Sequence, residues 1–293
     1  MIQLDRMLLG VHVSIAGHIY EAIDRAAALG CTAMQIFPRD PRQWRKTRLK
    51  PEDIEEFRLR RRQSGMAKVF IHIPYLVNLA SPYNILYKGS IRAAVQDMQE
   101  AAALGAEYVV AHAGSHKDSG EGKGLHRLTQ AVNRILDKTK ALPVSLLLEN
   151  TAGAGSWLGY RFEHLAYVFR RTEQPARLGV CLDTCHAHAA GYDLVTPAGY
   201  EQTMRVFGKQ VGWEKLKLIH LNDSKDACAS HRDRHEHLGK GMIGLQGLGR
   251  LVNDSRCAGA AFILETPKDT ARSDRMNLAR VRKLQQGKGR YGV

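Results

Sequence analysis

Nine side chains of the types that bind divalent metal ions stand out along the chain, and six of them occupy the same place in a repeated unit. Each of the six ends a short apolar run, as His72 ends KVFIH and Glu149 ends SLLLE. Neutral imidazole and carboxylate groups together suit Zn²⁺ and similar divalent ions. The six are His72, His112, Glu149, Asp183, His220 and Glu265, and the remaining three are His186, Asp233 and His235.

The number of candidate ligands indicates more than one ion. A catalytic zinc ion takes about three protein ligands and a water molecule, so nine ligands predict roughly two or three ions. Two ions about 4 Å apart are a common device for hydrolysing phosphate esters, in which a bridging hydroxide attacks and the cations stabilise charge on the phosphate oxygens. This chemistry needs no serine or cysteine nucleophile, and the sequence has no GxSxG motif.

The apolar runs alternate with stretches of helical spacing, which is typical of a parallel α/β sheet. Eight such units predict a (β/α)8 TIM barrel, whose strands all end at one rim, so that a metal cluster lies at the C-terminal rim of the strands. Without a cation, six converging ionisable groups would repel one another or remain unsatisfied. The alternative is a doubly wound sheet, but HVSIAGH after the first run has no GxGxxG phosphate loop. The runs lie near 8–14, 33–37, 68–73, 107–113, 144–149, 178–183, 216–221 and 260–265.

Helix and loop signals between the runs support the same architecture. Helices are expected over 17–30, 51–64 and 84–105, the first and third ending at a glycine and the second opening with Pro-Glu-Asp. The glycine-rich stretch 120–124 and the polar segment 222–243 are expected to be long loops on the functional rim. The last residues, about 285–293, are basic and predict a flexible tail.

Composition narrows the class of protein. The hydrophobic fraction of 44% is enough for a core, and no run approaches the ~18 apolar residues of a membrane helix. The start, MIQLDRMLLG, has no signal peptide, so we expect a cytoplasmic protein that consists of a single domain over 1–293. Five cysteines without CxxC spacing indicate reduced thiols. The formal net charge of +14 favours phosphate-rich partners.

Eight motifs together resemble the endonuclease IV family of apurinic/apyrimidinic endonucleases. Any one of them, such as LETP, is weak, whereas the set is specific and extends from the first strand to the last. The motifs are GVHVSIAG (10–17), FPRDPRQW (37–44), HIPYLVNLASP (72–82), LENTAGAG (148–155), CLDTCHAHAAGYD (181–193), IHLNDS (219–224), DRHEHLGKG (233–241) and LETP (264–267).

The resemblance implies a (β/α)8 barrel with three zinc ions per chain, for which Mn²⁺ or Fe²⁺ can substitute. Glu149 would bridge the first two ions, and Glu149 and Glu265 would be the catalytic carboxylates that position the hydroxide. The family's ligands fall on His72, His112 and Glu149 for the first ion, on Glu149, Asp183, His220 and Glu265 for the second, and on His186, Asp233 and His235 for the third.

The resemblance also implies a DNA substrate. Family members cut duplex DNA on the 5′ side of an abasic site, leaving a 3′-hydroxyl and a 5′-deoxyribose phosphate, and some repair blocked 3′ ends. They flip the abasic nucleotide into the metal pocket, which costs least where pairing and stacking are already lost. Side chains inserted into the base stack hold the bent DNA open, and the matching residues here are Arg42, Tyr75 and Leu76. We expect a monomer.

Two histidines stay without a firm role at this point. His188 stands where an aromatic residue is common in the family, and it is either a packed residue or a further ligand. His12 ends the first run, but its family counterpart has no ligand role, so we expect it at most to line the site.

Two other functions fit part of the sequence. A metal-dependent sugar isomerase or epimerase of the xylose-isomerase-like barrel class shares the barrel and the ligand types, but usually holds one or two ions and binds a small polyol. A DNA-binding barrel without activity would not need a complete set of ligands. The pair Asp233 and His235 argues against the isomerase, because it supplies the ligands of a third ion.

Overall fold

The structure, a computed structural model, describes residues 7–40, 43–44 and 49–286. Its strands alternate with helices along the chain, as the sequence predicts. In chain order the strands are β1 (Leu9–Val11), β2 (Ala33–Ile36), β3 (Lys68–His72), β4 (Tyr108–His112), β5 (Ser145–Glu149), β6 (Leu178–Asp183), β7 (Leu216–His220), β8 (Asp223–Ser224), β9 (His235–Glu236) and β10 (Ala261–Leu264).

Helices follow the strands and pack outside the sheet. Within the part of the chain that the structure describes, none is long and apolar enough to cross a membrane. The helices are α1 (Glu21–Ala28), α2 (Pro51–Ser64), α3 (Asn84–Leu104), α4 (Glu121–Lys138), α5 (Phe162–Phe169), α6 (Thr184–Ala189), α7 (Pro197–Gln210), α8 (Gly244–Val252) and α9 (Ser273–Gln286).

The sheet closes into a barrel. Eight strands lie in the order β1-β10-β7-β6-β5-β4-β3-β2, and every neighbouring pair is parallel. The two end strands meet at a parallel bridge between His12 and Gln35. There the backbone N–H of Val13 donates to the Gln35 carbonyl at 2.8 Å. The predicted (β/α)8 barrel is therefore confirmed, and the small hairpin β8–β9 lies in the loop 222–243.

Two predictions about local structure are wrong. The stretch 120–124 is not a loop, because Glu121 begins α4 and the buried Leu125 and Leu128 give that helix an apolar face. Residues 285 and 286 belong to α9 and not to a tail, because Leu284 is buried and its carbonyl accepts a hydrogen bond from Asn253 Nδ2 at 3.1 Å. The rest of the predicted tail, 287–293, lies outside the described residues.

The apolar core has two layers because side chains alternate between the two faces of a strand. One layer fills the barrel and takes residues from successive strands, among them Phe70, Leu147 and Leu218. The other lies between the sheet and the helices and includes Leu146 and Leu148. The interior layer ends below the rim, where polar side chains replace the apolar ones.

We predict that Gly10→Ala destabilises the barrel. A Cβ atom at Gly10 would lie 1.7 Å from the carbonyl oxygen of Ala33, and a backbone atom of a neighbouring strand cannot move aside as a side chain does. Overpacking of this kind costs about 1–3 kcal/mol or more, which urea denaturation would measure as a lower free energy of unfolding.

Gly89→Ala is the matched control for this variant. Gly89 lies in α3, and a Cβ atom there meets nothing within 4 Å. Alanine in a helix is favoured over glycine by about 0.5–1 kcal/mol, so this variant should be slightly more stable than the parent. Equal stability of the two variants would contradict the close approach of β1 and β2.

Candidate metal centre

The last inward-facing residue in or just after each barrel strand lies at the same end of the barrel. Leu147 and Leu218 fill the interior, so Glu149 and His220, two positions further along their strands, also face inward. The same alternation applies to all eight strands. The resulting ring of side chains, here called the rim layer, consists of His12, Gln35, His72, His112, Glu149, Asp183, His220 and Glu265.

Glu149 lies at the centre of the predicted ligands. Its side chain is fully buried at the end of β5. Oε2 lies 3.1 Å from His72 Nε2 and 3.2 Å from His112 Nε2. Oε1 lies 3.1 Å from His220 Nδ1 and 3.3 Å from His186 Nδ1. The two oxygens thus face different histidines, as a carboxylate that bridges two cations must.

Asp183, His220 and Glu265 surround the Oε1 side of Glu149. One ligand atom from each of these four residues lies within 4.8 Å of the others. His220 Nδ1, for example, is 3.2 Å from Glu265 Oε2. Three carboxylates and one imidazole form a nitrogen and oxygen donor set that suits Zn²⁺, Mn²⁺ or Fe²⁺.

The remaining three predicted ligands converge at the mouth of the site. Asp233 Oδ1 lies 3.1 Å from His186 Nε2 and 3.3 Å from His235 Nε2. Asp183 adjoins this group, since its Oδ2 is 3.6 Å from His235 Nε2. The side chain of Asp233 is half exposed, so this group opens to solvent whereas the group around Glu149 does not.

Hydrogen bonds to backbone carbonyls orient three of the histidines. The Nδ1 atoms of His72, His186 and His235 lie 2.7, 2.9 and 3.1 Å from the carbonyl oxygens of Ile73, Asn150 and Glu265. A carbonyl only accepts, so each Nδ1 carries a proton and each Nε2 is the nitrogen that points into the site. Histidines that bind metals usually donate their other nitrogen in this way. The residues present therefore fit a metal centre.

The electrostatics of the cluster favour positive charge at its centre. Burial lowers the pKa of His220, but the carboxylates of Glu265 and Glu149 outweigh it and raise the pKa to about 9. Burial likewise raises the pKa of Glu149, yet the charges of His220 and His112 hold that pKa well below its usual range. Divalent cations supply the same kind of charge.

Two buried cysteines lie beside the cluster. The Sγ atom of Cys185 lies within 4.8 Å of ligand atoms of Asp233 and His235. Burial raises the pKa of Cys185 to about 12 and that of Cys181 well above its usual value. The thiolate is the form of cysteine that binds metals, and burial disfavours that form at both positions.

Two asparagines hold Asp183 in place. Asn150 Oδ1 accepts the backbone N–H of Asp183 at 2.7 Å, and its Nδ2 donates to the Asp183 carbonyl at 3.0 Å. Asn222 Nδ2 donates to Asp183 Oδ2 at 2.7 Å, while its Oδ1 accepts the backbone N–H of Glu265 at 2.9 Å. Partners of this kind fix the direction in which a ligand points.

The buried carboxylate of Asp223 organises the loop 222–243. It accepts backbone N–H groups from both sides of the loop and so ties the end of β7 to the start of α8. The donors are the N–H groups of Ser224, Gly239, Gly241, Ile243 and Gly244, at 2.8–3.2 Å. Because Asp233 and His235 lie within this loop, Asp223 determines where the mouth ligands sit.

Comparisons with known proteins agree with this geometry. A family described as xylose isomerase-like TIM barrel matches residues 23–286. A protein of Chloroflexus aurantiacus named probable endonuclease 4 is 42% identical over 279 residues, which cover 95% of this chain and 98% of that protein. The crystal structure of endonuclease IV from Thermus thermophilus superposes with a TM-score of 0.85 at 40% identity, covering 95% of this chain and 98% of that one. The chain belongs to the endonuclease IV family.

Membership in the endonuclease IV family confirms the resemblance carried by the motifs and implies metal use. The same barrel also occurs in proteins with other names. A D-tagatose 3-epimerase-like protein superposes with a TM-score of 0.71 at 18% identity, covering 96% of both chains. At that identity the likeness shows the shared barrel alone, so it does not extend sugar chemistry to this chain.

The structure describes two of the three residues that the endonuclease IV resemblance matches to insertion into DNA. Tyr75 is 61% exposed and packs edge-on against Phe37, with ring centroids 5.3 Å apart. Leu76 follows it and is partly exposed. Arg42 lies outside the described residues. Their contacts with DNA stay a prediction.

The two histidines without a firm role differ in position. His12 belongs to the rim layer, and its Nδ1 lies 3.2 Å from Glu265 Oε1. His188 is buried, and within the described residues neither of its ring nitrogens has a hydrogen-bond partner and no candidate metal group includes it. Burial lowers its pKa, which disfavours the charged form of His188.

The structure adds two residues that sequence reasoning missed. Gln35 is a fully buried member of the rim layer. It follows the inward-facing Ala33 by two positions on β2, and this spacing could have placed it in the layer from the sequence. Trp157 packs edge-on against His112, with ring centroids 5.9 Å apart. With Tyr75 it lines a cavity of about 230 Å³ beside the ligands. No motif in the sequence marks Trp157.

We predict that Asp223→Asn loosens the mouth of the site. An amide nitrogen cannot accept, so at least two of the backbone N–H groups lose their partner, at about 1–3 kcal/mol for each buried one. Limited proteolysis should cut the loop 222–243 faster, and the half-exposed ligand group should lose its metal first.

Asp118→Asn is the control for this variant, since it makes the same chemical change at an exposed position on another loop of the rim. It should change neither proteolysis nor metal content. Equal cutting of the two variants would show that Asp223 does not organise the loop.

Proposed function

We propose that this endonuclease hydrolyses the phosphodiester bond on the 5′ side of an abasic site in duplex DNA and leaves a 3′-hydroxyl and a 5′-deoxyribose phosphate. Blocked 3′ ends present the same phosphodiester chemistry and are a second substrate. The protein acts as a monomer in this proposal, because one chain supplies all the ligands.

The observation that carries the proposal is the position of Glu149 between two groups of ligands. In the proposed centre, Glu149 would be a ligand shared by a first and a second zinc ion, and the half-exposed group at the mouth would hold a third. Mn²⁺ or Fe²⁺ would fit the same donors. The proposed ligands are His72, His112 and Glu149 for the first ion, Glu149, Asp183, His220 and Glu265 for the second, and His186, Asp233 and His235 for the third.

The chain's own groups prepare the reaction in three ways. Glu149 and Glu265, the proposed catalytic carboxylates, accept hydrogen bonds from the attacking water and orient it. Burial of Glu149 and His220 excludes bulk water, which strengthens every charge interaction in the site. The bound ions supply Lewis-acid stabilisation of charge on the phosphate oxygens and acidify the water. Asp233, at the mouth, leaves this region open to the substrate.

The surface around the mouth suits a phosphate backbone. Arg232 and Arg234 flank Asp233 on the loop 222–243, and both are exposed. Exposed arginines gain affinity for DNA by releasing counterions from its phosphates. Tyr75 lines the cavity and the partly exposed Leu76 follows it. In the proposal these two residues enter the base stack together with Arg42 while the abasic nucleotide occupies the cavity.

The rival interpretation as a sugar isomerase or epimerase has less support. Such an enzyme needs a site for a small polyol and usually one or two ions. Here a complete extra group of ligands, His186, Asp233 and His235, stands at the mouth, and the likeness to the epimerase-like protein extends only to the barrel. An inactive DNA-binding barrel would not explain the buried carboxylate of Glu149.

The proposal is tested with zinc-loaded protein and a duplex that contains one abasic analogue, without added magnesium. We expect a single cut on the 5′ side of the analogue and about three zinc ions per chain. An intact duplex together with isomerisation of a sugar would overturn the proposal in favour of the rival.

We predict that Glu149→Gln abolishes cleavage while DNA binding persists. The amide removes the negative charge that two ligand groups share, so metal content and cleavage should both fall, the latter by at least about 100-fold. The basic rim is unchanged, so binding measured by fluorescence anisotropy should be retained. Glu163→Gln, on the exposed face of α5, is the control and should behave like the parent. Full activity of Glu149→Gln would rule out its role as a ligand.

We predict that Tyr75→Ala weakens binding to the abasic duplex more than binding to an intact one. Loss of an aromatic stacking surface costs about 1–3 kcal/mol, which corresponds to roughly a 5- to 150-fold rise in Kd. Tyr83→Ala is the matched control, because Tyr83 is 58% exposed but lies at the other end of the same loop, at the start of α3, and does not line the cavity. Equal losses on the two duplexes would exclude insertion by Tyr75.

A further inference from the structure

Two members of the rim layer, Gln35 and His12, are not among the proposed metal ligands. They lie on β2 and just after β1, the strands that meet where the barrel closes. Gln35 is fully buried, and its side-chain amide reaches three other members of the layer. A buried amide with two different ends can dictate where its neighbours carry their protons.

The orientation of the Gln35 amide follows from Glu265. Gln35 Nε2 lies 2.6 Å from Glu265 Oε1, and a carboxylate oxygen only accepts, so this end of the amide must be the NH₂ group. The other end, Oε1, lies 2.9 Å from His220 Nε2. An amide oxygen also only accepts, so His220 carries its proton on Nε2. This leaves His220 Nδ1 to face Glu149 and Glu265.

His220 is therefore turned the opposite way from three other histidines of the cluster. His72, His186 and His235 place Nδ1 on a backbone carbonyl and point Nε2 inward. His220 instead gives Nε2 to a side chain and points Nδ1 inward, so its orientation depends on Gln35 and not on the main chain.

The second hydrogen of the Gln35 amide determines which ring nitrogen of His12 carries the proton. Gln35 Nε2 lies 2.9 Å from His12 Nδ1, so Nδ1 accepts and the proton of His12 resides on Nε2. In the competing arrangement, His12 Nδ1 carries the proton and donates it to Glu265 Oε1 at 3.2 Å. The N–H groups of Gln35 and His12 would then face each other across their 2.9 Å contact. His12 Nε2 is buried and has no partner within the described residues.

We propose that Gln35 is a positioning residue that sets the tautomers of His220 and His12 together, presenting His220 Nδ1 to the second metal and leaving His12 Nε2–H as an unused donor at the rim. The inference rests on the ligands proposed above. It assigns a role to a residue that binds neither metal nor DNA.

Nitrogen-15 spectra of the histidine side chains in the zinc-loaded protein test the proposal without any variant. We expect His220 to be zinc-bound through Nδ1 and protonated on Nε2, and His12 to be protonated on Nε2. A zinc bond through His220 Nε2, or a proton on His12 Nδ1, would overturn the positioning role while leaving the metal centre intact. If the parent protein takes up no zinc, the proposed metal centre fails and the positioning role fails with it.

Two variants test the consequence for metal binding. Gln35→Met removes both ends of the amide at similar volume, and Gln35→Glu keeps an acceptor for His220 but sets a carboxylate against Glu265. Loss of a partner that orients a ligand costs about 10- to 100-fold in metal affinity, so competition with a chelator should show that loss for one zinc ion of the set. Mixed tautomers of His12 should appear in the spectra of Gln35→Met.

Gln130→Met is the matched control, since Gln130 lies on the exposed face of α4 and bonds to His126 one turn earlier in that helix. It should leave zinc affinity and the spectra of the rim-layer histidines unchanged. Parent-like zinc affinity in both Gln35 variants would overturn the positioning role.

Discussion

The concentration of carboxylates at one end of the barrel is the constraint on which the rest of the structure depends. Glu149 and Asp183 are fully buried and Glu265 is mostly so. Buried carboxylates are tolerated only when cations and hydrogen-bond donors surround them. Histidines of the metal centre surround these carboxylates, and backbone carbonyls hold three of those histidines in place. The amides of Asn150 and Asn222 add hydrogen bonds around Asp183.

Two kinds of support meet at the site. The closed part is built on strand ends, whose positions are set by the hydrogen bonds of the sheet, so Glu149 and His220 have little freedom to move. The open part is built on the loop 222–243, which depends on the single buried carboxylate of Asp223. A rigid centre with a separately anchored mouth suits an enzyme that admits a bulky substrate without disturbing the ligands on its strand ends.

Much of the fold could be predicted because the signals are local. The apolar run that ends in Glu149 and the Pro-Glu-Asp start of α2 each depend on neighbouring residues alone. The prediction of a loop at 120–124 is wrong because glycines usually mark loops, whereas here Gly124 is needed where α4 passes close to His116. The role of Gln35 depends on residues more than 180 positions away, so no local signal reveals it.

The sequence by itself determined the architecture and the types of ligand, because strand alternation and repeated strand ends oblige inward-facing residues to meet at one rim. It also indicated the endonuclease IV family, through motifs spread along the chain. Only the tertiary structure decided which oxygen of Glu149 faces which histidine, how Asp223 holds the mouth, and why His220 points Nδ1 inward. These are matters of distance and direction between strands far apart in the chain, and they exist only once the barrel has closed.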